Sequence, residues 1–77
     1  MYGQYGQIEG VLYYNTLTDR YCIRYGVEEY GDDLHCGDFL QVKIRGKWQD
    51  TRIEMDCGEW YLVGVKTSDL SGLPARQ

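Results

Sequence analysis

Short runs in which apolar and polar residues alternate with a period of two constrain this chain most. Leu40, Val42 and Ile44 alternate with Gln41, Lys43 and Arg45, and Thr51, Ile53 and Met55 alternate with Asp50, Arg52, Glu54 and Asp56. Residues i, i+2 and i+4 share one face of a strand, so each run describes a strand with one dry face and one wet face. Nowhere do apolar residues recur at i, i+3, i+4 and i+7 over three turns, which leaves helix a minor element. The 77 residues hold one domain, since chains below about 40 residues rarely keep a core unaided.

The same period runs through the first third. Ile8, Gly10, Leu12 and Tyr14 alternate with Glu9, Val11 and Tyr13; the turn-forming stretch Asn15–Asp19 follows; then Tyr21, Ile23 and Tyr25 face away from Arg20, Cys22 and Arg24. This is a hairpin. Residues 26–38 do not alternate and carry Glu28, Glu29, Asp32, Asp33 and Asp38 among three glycines, so they read as a long acidic loop. Turns are expected at Gly46-Lys47 and Cys57-Gly58, with a fifth strand over residues 59–65. Thr67–Leu70 suits one capped helical turn. Leu73–Arg76 suits a last edge strand, because Pro74 cannot donate to a ladder. Five or six short antiparallel strands must hide their edges, and a small barrel does so. The expected core is Ile8, Leu12, Tyr21, Ile23, Leu40, Val42, Ile44, Ile53, Met55, Leu62 and Val63. The domain spans residues 8–77, after a flexible start in which Tyr-Gly-Gln occurs twice.

Charge and cysteine content narrow the function. Net charge is −4, which disfavours a surface built mainly to bind phosphates. No run approaches the ~20 apolar residues of a membrane span, and the opening lacks the basic and apolar regions of a secretory signal. The expectation is a cytoplasmic protein whose three cysteines, Cys22, Cys36 and Cys57, are free thiols. Cys22 falls on the arginine face of its strand, away from the expected core. His35 and Cys36 are adjacent, and neighbours in an extended segment point opposite ways, so they do not share a metal ion. The same geometry keeps them, with Asp32, Asp33 or Asp38, from forming a thiol–base pair. Serine-elbow, phosphate-loop and HExxH patterns are missing from the sequence. The expectation is a non-catalytic domain without cofactor or metal.

Binding residues are easier to nominate. Alternation places Trp48 with Asp50 and Arg52 on the outer face, where an indole needs a reason; the alternative is a bulge after Gly46-Lys47 that turns the ring back over the barrel mouth. Tyr13, Tyr25 and Tyr30 are candidates to converge on it, beside the acidic residues Glu28, Glu29, Asp32 and Asp33. Aromatic faces and carboxylates together attract cations, which points to an extended protein or peptide partner carrying Lys or Arg. The alternative is nucleic acid held by Lys43, Arg45, Lys47 and Arg52 around Trp48, against which the acidic first half acts.

Three stretches carry a resemblance. Leu34-His35-Cys36-Gly37-Asp38-Phe39-Leu40-Gln41-Val42 resembles an opening used by SH3-like barrels, and Gly46-Lys47-Trp48-Gln49-Asp50-Thr51-Arg52-Ile53-Glu54 resembles the next strand of their Tudor branch. Leu70-Ser71-Gly72-Leu73-Pro74 is faintly similar to the turn before the last SH3 strand. The whole pattern, from Gly10-Val11-Leu12-Tyr13-Tyr14 through Trp60-Tyr61-Leu62-Val63-Gly64 to Gly72-Leu73, is similar to a family of short bacterial domains of unknown function. The resemblance implies an SH3-like small barrel; from the residues, the expectation is a non-catalytic interaction or accessory module, monomeric or weakly self-associating. It implies no activity. Of a Tudor-type aromatic cage, only Trp48 matches in position.

Overall fold

The computed structural model describes residues 8–67 and 69–77; the flexible start expected for residues 1–7 lies outside the described residues. Seven strands form: β1 (Glu9–Asn15), β2 (Arg20–Gly26), β3 (Glu29–Tyr30), β4 (Phe39–Ile44), β5 (Lys47–Asp56), β6 (Glu59–Leu62) and β7 (Pro74–Arg76). All pair antiparallel in one sheet of order β3-β2-β1-β7-β4-β5-β6. The all-β class holds, with one strand more than the upper expectation because β3 is only two residues long.

Local chemistry fixes the hairpins. The Asn15 side-chain oxygen accepts the Leu17 N–H (2.9 Å), Asp19 takes φ +64°, and the chain returns with Leu12 opposite Ile23 and Tyr14 opposite Tyr21. Between β4 and β5 the turn is Arg45-Gly46, with φ +53° and +81°, one residue earlier than expected. Two consecutive positive φ angles match the right-handed strand twist. Cys57-Gly58 (φ +53° and +79°) repeats the device between β5 and β6.

β7 corrects the edge-strand expectation. It lies in the middle of the sheet, joining Gly10 to Ala75 on one side and Val42 to Ala75 on the other. Pro74 is its first residue, where a missing N–H costs no ladder bond. The connection just before it extends the pairing: Leu12 N–H donates to the Leu73 carbonyl (2.9 Å) and Gly72 N–H to the Leu12 carbonyl (2.8 Å). Of the helical turn expected over Thr67–Leu70, Ser68 lies outside the described residues and Thr67, Asp69 and Leu70 are not helical; the fifth expected strand stops at Leu62 rather than Val65.

One core cluster gathers Leu12, Ile23, Leu34, Leu40, Val42, Ile53, Leu62, Leu70 and Ala75. Because these come from both ends of the sheet, its inner face is curled round a single interior. Tyr21 and Ile44 pack against it half-buried, and Val63 is also half-buried. Two expected core residues are outside: Ile8, 64% exposed, precedes the first paired residue of β1, and Met55, 39% exposed, lies past Arg52, where the β4 pairing with β5 ends. Two core residues come from segments without alternation. Leu34 closes the supposed acidic loop, which instead follows β2 through Gly31 N–H to the Ile23 carbonyl (2.7 Å) and Leu34 N–H to the Tyr21 carbonyl (2.8 Å). Leu70 plugs the other side. Buried Thr51 is satisfied by donating its hydroxyl to the Val63 carbonyl (2.7 Å).

Candidate functional site

The outer face of the sheet presents one side-chain row across six strands. Tyr30 opposes Arg24, Arg24 opposes Val11, and Val11 opposes Pro74. Continuing the β4–β7 register sets Lys43 beside Pro74, and Lys43 opposes Trp48. The row thus begins and ends in an aromatic ring.

At the β3 end, Tyr13 and Tyr30 meet with ring centroids 5.2 Å apart. The Arg24 guanidinium stands over both, 5.9 Å from Tyr13 and 5.7 Å from Tyr30. It is held there by donating to the carbonyls of Gly26 (3.0 Å) and Val27 (3.2 Å). Both rings remain exposed, as do Val11 and Val27. A cleft of about 310 Å³ opens beneath them, lined by Tyr13, Asn15, Cys22, Tyr30, Gly31 and Asp33. Beside it a shallow groove of about 390 Å³ runs between Glu9, Val11, Arg24, Gly26 and Pro74. Glu28 precedes β3, Glu29 is its first residue, and Asp32 and Asp33 follow it; all but the half-buried Asp33 are exposed.

Trp48 is not part of that group. It faces outward in an unbroken β4–β5 register, without a bulge after Gly46-Lys47, but three strand spacings, about 14 Å, separate its strand from that of Tyr13. Its ring is half-buried under the Arg76 guanidinium (3.9 Å to the centroid), with the Lys43 ammonium at 5.5 Å. Arg76 is fixed by donating to Gln41 (2.8 Å), which in turn donates to Asp50 (2.7 Å). Tyr25 does not converge either. It lies on the inner face, packed against the core, and burial pushes its hydroxyl pKa up, helped by Cys22.

The basic set is divided. Lys43 flanks Trp48, Arg45 and Lys47 sit at the turn, and Arg52 is paired with Glu54 (2.9 Å). Arg76, from the end of the chain, joins this face unforeseen, since nothing local in Ala75-Arg76-Gln77 shows which strands it pairs between. Cys22, expected outside, is 2% exposed: it opposes Tyr13 and lies under the covering segment around Tyr30 and Gly31. Burial, reinforced by the Asp33 charge, raises its thiol pKa. Cys36 and Cys57 are exposed free thiols. His35 and Asp38 close a turn, the His35 backbone N–H donating to the Asp38 carboxylate (2.8 Å). Among the described residues no three His, Cys, Asp or Glu side chains come together as a metal set, and no helix is long and apolar enough to cross a membrane.

These features define a small all-β domain with a curled antiparallel sheet and an aromatic, cation-decorated outer face. The family model described as "Domain of unknown function (DUF5348)" matches residues 10–77, and the chain belongs to that family. A crystal structure of a protein from Ruminococcus gnavus is similar at 46% identity with a TM-score of 0.82, over 90% of this chain and 99% of that one. No curated protein matches.

Proposed function

We propose that this domain is a non-catalytic interaction module that binds an extended protein segment on the outer face of its first hairpin. The observation that carries the reading is the Tyr13–Tyr30 pair, held in place round Arg24 while both rings stay exposed. Exposed rings with a fixed geometry supply contact area at little ordering cost. The adjoining groove past Val11 and Pro74 gives an extended chain a path, and Glu28, Glu29, Asp32 and Asp33 favour a partner with Lys or Arg. A single antiparallel sheet curled round one core supports reading the fold as an SH3-like small barrel. A cytoplasmic location and a monomeric or weakly associating state belong to the same reading.

Nucleic acid is the second reading, favoured by Arg76 joining Lys43 at Trp48. Against it, Arg76 already covers one indole face, Arg52 is paired with Glu54, and Asp50 sits within the patch. Selection of a displayed random peptide library against the wild type and a Tyr13→Ala/Tyr30→Ala variant tests the proposal. The expected result is Lys- or Arg-containing peptides enriched by the wild type alone. Equal enrichment by both proteins would remove the tyrosine pair from the site. Retention on single-stranded DNA that falls steeply with salt would favour the second reading.

A further inference from the structure

The opposite face of the same hairpin ends in a different constellation. Tyr14 and Tyr21 meet edge to face, 5.1 Å between centroids. Trp60 is drawn towards the same hairpin's turn by donating its indole N–H to the Asp19 carbonyl (3.1 Å). Between them lies a cleft of about 310 Å³ lined by Tyr14, Tyr21, Gly58, Glu59, Trp60, Asp69 and Leu70. Its ionisable lining beyond the tyrosines is wholly acidic. Glu59 makes no ion pair among the described residues, and Asp69 uses one carboxylate oxygen to accept the Ser71 N–H (3.0 Å). The indole attracts cations in this very setting, since the Arg20 guanidinium stands 5.6 Å from its centroid, although Arg20 does not line the cleft. The volume lies at the lower limit of small-molecule sites, which suits one side chain rather than a drug-sized ligand.

We infer that this cleft is a second binding site, separate from the outer face, for a single guanidinium or alkylammonium group. The aromatic rings supply cation–π attraction, while Glu59 and Asp69 supply charge. A free amine or guanidine metabolite and a basic side chain of a polypeptide share this chemistry, and the test separates them.

The ¹H–¹⁵N spectrum of the ¹⁵N-labelled wild-type chain has two indole N–H signals, Trp48 and Trp60, assigned with Trp60→Phe. Nα-Acetylarginine amide should shift the Trp60 signal saturably at millimolar concentration and leave Trp48 in place. Nα-Acetylcitrulline amide, similar in shape and uncharged, should leave Trp60 unmoved. Binding should weaken about tenfold in Glu59→Gln/Asp69→Asn, whose exposed positions leave the core untouched. Tighter binding of an N-acetylated, C-amidated Ala-Ala-Arg-Ala-Ala peptide would support a chain-borne cation; equal or weaker binding would support a free one. A non-saturating Trp60 shift, or an equal response to Nα-acetylcitrulline amide, would overturn the inference.

Discussion

Cys22 and Ile23 are neighbours in β2, and both are buried, which a sheet covered on one face does not allow. The second cover is the chain from Tyr30 to Leu34, and it turns an apparently wet strand face into a small satellite interior. Two acids are perturbed as a result: burial holds Cys22 above its ordinary value of 9.0 and Tyr25 above 10.0. In the folded state both keep protons that the unfolded chain releases, so from about pH 9 upward the unfolded chain binds fewer protons. Stability is therefore full below pH 9 and falls as pH rises through the two folded-state values. The melting temperature should decline along this alkaline limb. Cys22→Ala/Tyr25→Phe should flatten the limb even if its plateau is lower, whereas an unchanged slope would contradict the assignment. An aromatic thiol reagent at neutral pH should modify two thiols, Cys36 and Cys57, in the native protein and reach Cys22 only on unfolding.

At the scale of elements, the strands that show alternation were the legible ones. β1, β2, β4 and β5 are bounded by turn chemistry and keep period two, so their faces and pairings follow from local rules. β3, Leu34 and Leu70 were not legible, because an isolated apolar residue in a polar stretch carries no period. The position of β7 was hidden for another reason: pairing between distant segments is set by the whole core, and Pro74 by itself suggests an edge. Leu34→Ala should then cost about 2–5 kcal/mol in chemical denaturation, as for a buried leucine in any strand. Ile8→Ala, by contrast, should stay within about 0.5 kcal/mol. Deleting residues 74–77 removes the strand that joins the two halves of the sheet and should abolish the cooperative transition. A sharp transition in the truncated chain would show that β7 is an accessory strand.

Over the whole molecule, the residue types of the candidate site were readable but their grouping was not. Tyr13 and Tyr30 were both named from the sequence. The partner that joins them is Arg24, whose role depends on a β2–β3 register with an irregularity between Arg24 and Gly26. Trp48, the aromatic that attracts most notice in the sequence, has instead been taken up by Arg76 and Lys43. Charge follows the same division, with acids around β3 and the bases Lys43, Arg45, Lys47 and Arg52 around β4 and β5, so the two ends of the outer face differ in charge. On the proposed reading the tyrosine pair, and not Trp48, forms the docking surface. The most direct measurement is the affinity of a selected Lys-containing peptide, by fluorescence anisotropy, for the wild type, Tyr13→Ala/Tyr30→Ala and Trp48→Ala. Binding to the wild type in the micromolar range, weakened at least about tenfold by loss of the tyrosines and little changed by loss of Trp48, is the expected result. Full affinity in the tyrosine variant with loss of binding in Trp48→Ala would contradict the account.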